Sequence, residues 1–204
     1  MEKNNRTKEQ GAETKRKIYQ CAERLFRQYD YQDVSVKAIT DMARITKGTF
    51  YVHFESKDAL YIELFSAYAE RMDAQYKAFL DTLPSEMSSG DMMLVFVNEL
   101  VDLMVTQVGY DNLRTIYRLQ LTDTISMESV KGYGRTLYTL FQKVLERGIR
   151  QKEFKAELSL EALTHHFVMA IRGLTYEWCI RYPDFDFKQE AVAHFQLLLY
   201  GISA

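Results

Sequence analysis

The stretch Ser35-Val-Lys37-Ala-Ile39-Thr-Asp-Met-Ala43-Arg-Ile-Thr46-Lys-Gly-Thr-Phe50-Tyr-Val-His-Phe54-Glu-Ser-Lys57-Asp-Ala-Leu60 decides how the chain reads. Ser35 is placed to cap a short helix whose Val36, Ile39 and Ala43 share one face. After three residues of turn, Thr46 caps a second helix, because a hydroxyl there accepts from the otherwise orphaned amides of a first turn. Ser56 repeats the signal ahead of a longer helix. Two short helices joined by a tight turn, with Phe50 and Phe54 on an inward face, have the layout of a helix-turn-helix.

On a helical wheel with Phe50 at zero, Phe54 falls at about 40° and Thr46 at about −40°, whereas Gly48 and Val52 fall at about 160° and 200°. The outer face is therefore small enough to enter a major groove. Gly48 lets backbone approach DNA closely, and Val52 is suited to a thymine methyl. Thr49 offers a hydroxyl to bases or phosphates, and Lys47, Tyr51 and His53 reach the phosphate strands on either side. Lys57, in the first turn of the next helix, adds a cation beside amides that favour anions. Ser35 and Lys37 do the same at the opening of the earlier helix, and Thr46 completes the candidate DNA-contacting set.

Working outward, Thr14 is expected to cap a helix in which Ile18, Cys21, Ala22, Leu25 and Phe26 form one apolar face. Residues 1–13 read as a flexible polar arm. The pattern breaks at Gln28–Asp33. Beyond Ser56 a long helix runs through Leu60, Leu64, Tyr68, Met72 and Phe79 toward Pro84, and further helices are expected at about 91–107, 112–122, 129–150, 159–181 and 187–202. Ser159 caps the fourth of these; Asp186 with Gln189 resembles a capping box for the last. Two prolines and nine glycines in 204 residues are too few turn formers for a sandwich or barrel of short strands. The fold class is all-α, with an N-terminal three-helix helix-turn-helix domain over 14–60 and a larger helical domain over 61–204.

The formal charge of −2 conceals an asymmetry: residues 1–60 carry 12 basic against 9 acidic side chains, and residues 61–204 carry 14 against 19. The basic excess lies within residues 1–30, and it suits a chain that grips phosphates at one end. The uncharged runs are too short to cross a bilayer, and the polar beginning has no apolar signal segment, so a cytoplasmic protein without membrane contact is expected. Cys21 and Cys179 read as buried reduced thiols. Glu161 and His165 lie one turn apart beside His166, but no third or fourth ligand accompanies them, so neither a metal nor any other cofactor is expected. No nucleophile elbow, P-loop or zinc signature points to an enzyme.

The quoted stretch resembles the DNA-binding signature of TetR-family transcriptional regulators, as do the preceding Thr14-Lys-Arg-Lys-Ile18 to Leu25-Phe26 and Tyr31-Gln-Asp-Val-Ser35-Val36. The likeness spans residues 14–60 without a gap; residues 61–204 share only helical layout and length. It implies a homodimer that binds a pseudo-palindromic double-stranded operator and is released by a small-molecule effector. By that layout Met104, Tyr117, Phe141 and Trp178 are effector candidates, and an apolar or aromatic ligand suits such walls. The stripes Phe167, Ile171, Leu174 and Phe195, Leu198, Leu199, Ile202 on the last two helices are expected to pair across a two-fold axis. Two residues depart from the family's pattern: Arg44 stands where glycine is usual in the turn, and Asp30 where glycine often follows the first helix. A helical dimeric adaptor, or a constitutive DNA binder without effector response, is the alternative.

Overall fold

The computed structural model describes residues 2–122 and 135–204, with backbone alone for residues 2–8. Nine α-helices and one π-helical turn follow one another among the described residues: α1 (Glu2–Gln28), α2 (Val36–Ala43), α3 (Lys47–His53), α4 (Lys57–Thr82), α5 (Ser89–Leu103), the π turn Met104–Val108, α6 (Tyr110–Thr122), α7 (Thr136–Arg150), α8 (Leu160–Arg181) and α9 (Phe187–Ile202). The only extended pairing among them is an isolated bridge between Phe154 and Ser203. The all-α expectation holds, and residues 129–134 of the expected helix 129–150 lie outside the described residues.

The capping hydroxyls act as their positions require. Ser35 accepts from the Ala38 amide, Thr46 from Thr49, Ser159 from Ala162 and the Asp186 carboxylate from Gln189. Thr14 does not cap. α1 already starts at Glu2, so the Thr14 amide is satisfied within the helix and its hydroxyl donates back to the Gln10 carbonyl at 2.8 Å. That is the alternative bond open to a mid-helix threonine.

The chain divides into two compact units, one holding the residues up to Ala67 together with Thr122, the other beginning at Tyr68. α4 contributes to both. The core of the first unit is Ile18, Ala22, Leu25, Val34, Ile39, Phe50, Phe54 and Leu60, each side chain of Leu or Phe size stabilising by about 1.5–3 kcal/mol when removed from water. Around it Tyr19 meets Phe54 edge-on, and Phe26, Tyr31 and Tyr61 pack their rings together.

The second unit is built on a column of aromatic rings, Tyr76, Phe96, Phe141, Phe195 and Phe167, with successive centroids 5.3–6.3 Å apart. Beside the column Asp73, 4% exposed, receives both ends of the Arg135 guanidinium and the Leu137 amide. This bidentate pairing leaves neither buried charge uncompensated. At the other end Glu153 accepts from the Ser89 amide and hydroxyl at the start of α5. Phe154 then lies against Gly148, and a β-carbon there would come within 2.2 Å of its ring. Gly148→Ala is therefore expected to destabilise the second unit by about 1–3 kcal/mol. Thermal unfolding measures this, and an unchanged Tm would contradict the packing described.

Candidate nucleic-acid interface

The turn between α2 and α3 is set by Arg44. Its backbone is left-handed, at φ 53° and ψ 48°, and its amide donates to the carbonyls of Asp41 and Thr40. The Ile45 amide donates to Thr40 as well, at 3.0 Å. The α2 carbonyls are thereby satisfied as glycine usually does it. An L-residue pays about 1–2 kcal/mol for this conformation, so the departure at Arg44 keeps the family's geometry under strain. Asp30 does not share it, since Arg44 and Lys152 are the non-glycine residues of positive φ among those described. Instead the Asp30 carbonyl accepts from the Asp33 amide in an ordinary turn.

From this turn α3 leaves with Phe50 fully buried and Val52 outward at 80% exposure, with Tyr51 at 54%. Lys47 and Gly48 are exposed beside them, while Thr49 and His53 are half-buried. The Thr49 hydroxyl lies 2.9 Å from that of Thr46. The angular positions expected along α3 are thus reproduced, with a small apolar and hydroxyl-bearing outer face edged by Lys47 and Tyr51.

Three of the other candidate DNA-contacting side chains are engaged within the chain. Lys37 pairs with Asp41 at 2.6 Å, Ser35 serves its own helix, and Lys57 is turned inward. The Lys57 ammonium donates to the carbonyls of Tyr31 and Val34 at 2.7 and 2.8 Å and lies 4.0 Å from the centre of the Tyr31 ring. Placing Lys57 on phosphate is corrected accordingly: it ties α4 to the loop before α2, because the Tyr31 and Val34 carbonyls in that loop need a donor. Sequence spacing showed its position in a first turn and not the carbonyls facing it.

Next to Phe54, Lys15 bonds Glu63 at 2.7 Å. Burial alone would raise the Glu63 carboxyl, but bonds from Lys15 and Tyr19 hold it below its ordinary value; burial and Glu63 push the Tyr19 hydroxyl up. The stabilisation from Glu63 is present above its unfolded value and is lost as pH falls through the depressed one. Both side chains of the pair are about half exposed, so its contribution is small.

In the second unit the expected effector and dimer residues separate differently. Phe141 is fully buried in the aromatic column, and Trp178 belongs to another ring cluster with Tyr110, Tyr182 and Phe187. The Tyr117 hydroxyl donates to the Arg172 carbonyl, and Met104 opens the π turn. Burial pushes the Cys179 thiol up to about 11, against a smaller opposing pull from Arg114, so it is an inert core thiol; Cys21 is half-buried. Among the described residues no three His, Cys, Asp or Glu side chains gather into a metal-binding group.

Phe167, Ile171, Phe195 and Leu199 are buried within the chain itself. They are core residues, which corrects their assignment to a dimer surface, and Leu174, Leu198 and Ile202 are half-buried. Of the expected set only Leu174 and Leu198 line the outward groove, whose other residues were not foreseen. His166, Met169, Ala170, Gly173, Leu174 and Glu177 on α8 line a shallow groove of about 430 Å³ with His194 and Leu198 on α9. Leu197 at 71% and Tyr200 at 83% exposure stand on the same helix. The spacing 166, 169, 170, 173, 177 was visible as a second helical stripe. Gly173 marks its centre, and a β-carbon added there would meet nothing within 4 Å.

Residues 18–64 match the family described as bacterial regulatory proteins, tetR family. Over 201 residues the chain is 24% identical to the HTH-type transcriptional regulator AcrR of Shigella flexneri, covering 95% of this chain and 91% of that one. It is 23% identical over 202 residues to the HTH-type transcriptional repressor KstR2 of Mycolicibacterium smegmatis, covering 97% and 94%. Its fold superposes on Thermus thermophilus FadR, a TetR-family repressor solved with lauroyl-CoA, with a TM-score of 0.72 at 18% identity over 93% of this chain and 95% of that one. The protein is a helix-turn-helix transcriptional regulator. Its residues 18–64 are a TetR-family DNA-binding domain.

Two substitutions separate structural from DNA-contacting roles. Lys57→Met should lower stability by about 1–3 kcal/mol, since it leaves two carbonyls without their donor. Arg44→Gly should raise stability by up to about 1 kcal/mol, because relief of the left-handed strain exceeds the added freedom of the unfolded chain. Chemical denaturation reads both, and a Lys57→Met variant as stable as the parent would remove its tying role.

Proposed function

We propose that the protein is a homodimeric repressor that holds a pseudo-palindromic operator through α3 and leaves it when a small apolar effector binds the second unit. The observation that carries the reading is the outer face of α3: Gly48 and Val52 project outward on a helix fixed by the Arg44 turn and the Thr46 cap. Binding rather than catalysis is its mode of action, and its DNA target puts its work in the cytoplasm. The repressor assignment draws on KstR2, and the apolar effector on the lauroyl-CoA held by Thermus FadR. Because α4 belongs to both units, displacement of its Tyr68–Thr82 part by ligand is passed along one continuous helix and changes the spacing of two recognition helices.

The two-fold contact is assigned to the outward stripe of α8 and α9. Met169, Ile180, Leu197 and Tyr200 are exposed there, and contiguous apolar surface of this kind is what a second copy covers. Gly173 permits close approach of helices at its centre.

Lys47→Ala should weaken binding to all duplexes about equally, whereas Val52→Ala should change preference at particular bases; gel shift on an operator obtained by in vitro selection reads both. If Lys47→Ala and Tyr51→Phe combined leave affinity unchanged, α3 is not the reading helix. Leu197→Glu with Gly173→Arg should convert a species of twice 24.0 kDa into folded monomers on sedimentation. A stable dimer from that variant would reject the interface. Lauroyl-CoA, used as probe, should alter Trp178 fluorescence and lower operator affinity about 5- to 150-fold; a fluorescence change at saturation with no loss of affinity would contradict the release mechanism.

A further inference from the structure

Taking the DNA-binding reading above as its basis, we infer that the first four turns of α1, Glu2–Lys17, form a phosphate-binding arm that supplies much of the sequence-independent affinity for duplex DNA. The inference begins with charge. Residues 18–60, which contain the whole helix-turn-helix, hold six basic and six acidic side chains; residues 2–17 hold Lys3, Arg6, Lys8, Lys15, Arg16 and Lys17 against Glu2, Glu9 and Glu13. The entire basic excess of the first sixty residues lies in the arm. Within 18–60, Arg27 pairs with Glu23, Lys37 with Asp41, and Lys57 holds two carbonyls, whereas in the arm only Lys15 has a described acidic partner, Glu63. A polyanion with one charge per ~1.7 Å of axis is poorly matched by what is left around α3.

The second observation is the length of α1. Its first buried residue is Ile18, and residues 9–17 have no buried member. The sixteen residues of Glu2–Lys17, at about 1.5 Å each, extend roughly 24 Å ahead of that core residue. A stretch polar on all sides has no apolar face to dock on its own protein, and Gly11 within it costs about 1 kcal/mol relative to Ala.

The third observation is where the arm leaves the core. The Lys15 ammonium lies 5.2 Å from the centre of the Phe54 ring, and Tyr19 meets the same ring edge-on at 5.5 Å. Phe54 is the residue that ends α3. The arm therefore departs beside the C-terminal end of α3, where Lys15 is also held by Glu63. With no fixed pattern of base-reading side chains at a groove-matched spacing, its cations position the protein without reading sequence.

The test is binding of the full chain to a random-sequence duplex and to a selected operator, followed by fluorescence anisotropy over a range of salt. Lys3→Gln, Arg6→Gln and Lys8→Gln together should reduce the slope of log K against log salt by about 0.9 for each phosphate no longer neutralised, up to about 5 for a dimer. Both duplexes should lose affinity alike, so their ratio stays fixed, and Tm should stay at the parental value because the residues precede the core. An unchanged slope in the triple variant, with the parent binding steeply, overturns the arm alone. A parent that binds neither duplex overturns the DNA-binding reading itself. A fall confined to the operator would show that the arm reads sequence, and it would equally reject the inference.

Discussion

The left-handed backbone at Arg44 is the constraint on which the DNA-binding unit depends. It folds the chain from α2 into α3 within three residues while directing two amides onto the last α2 carbonyls. The next residue able to cap, Thr46, is then in place to open α3. Any other backbone there would either lengthen the turn or rotate α3, and Phe50 and Val52 would exchange inside for outside within about half a helical turn. The strain of an arginine in this conformation is tolerated because the buried face of Ile39, Ala43, Phe50 and Phe54 over-determines the angle.

Around that turn the unit is held by ties that keep its own charges at home. Lys57 on the Tyr31 and Val34 carbonyls, Lys37 on Asp41 and Lys15 on Glu63 make a compact frame out of side chains that a charge count alone would offer to DNA. A recognition unit this short has a small core, and donors that satisfy loop carbonyls stabilise it more than extra surface cations do.

The second unit follows a different logic. Its aromatic column and the Asp73–Arg135 pair make a core that is complete within one chain, yet α8 and α9 keep apolar side chains on the surface as well. In the dimer proposed above, such helices serve two interiors, one within the chain and one against a partner. Between α5 and α6 the π turn Met104–Val108 and Gly109 at φ 78° interrupt the regular ladder, a local irregularity of the kind that accompanies binding sites.

Periodicity, caps and scarce turn formers were sufficient to make the chain all-helical, because each is a local preference that tertiary packing here reinforces. Ser35, Thr46, Ser159 and Asp186 cap as their sequence positions require, and the outward face of α3 follows from its angular spacing. Thr14 shows the limit, since a threonine satisfied by the Gln10 carbonyl has the same sequence signature as one that caps. Lys57 shows another: the carbonyls that claim it lie 23 and 26 residues earlier, and no local pattern encodes that meeting. Most of all, the α8 and α9 stripes could be read for apolarity but not for direction. Phe195 turned inward and Leu197 outward only when the Phe141 and Phe167 rings came to rest against Phe195, because which apolar side of a helix faces its own core is decided by the helices packed on it.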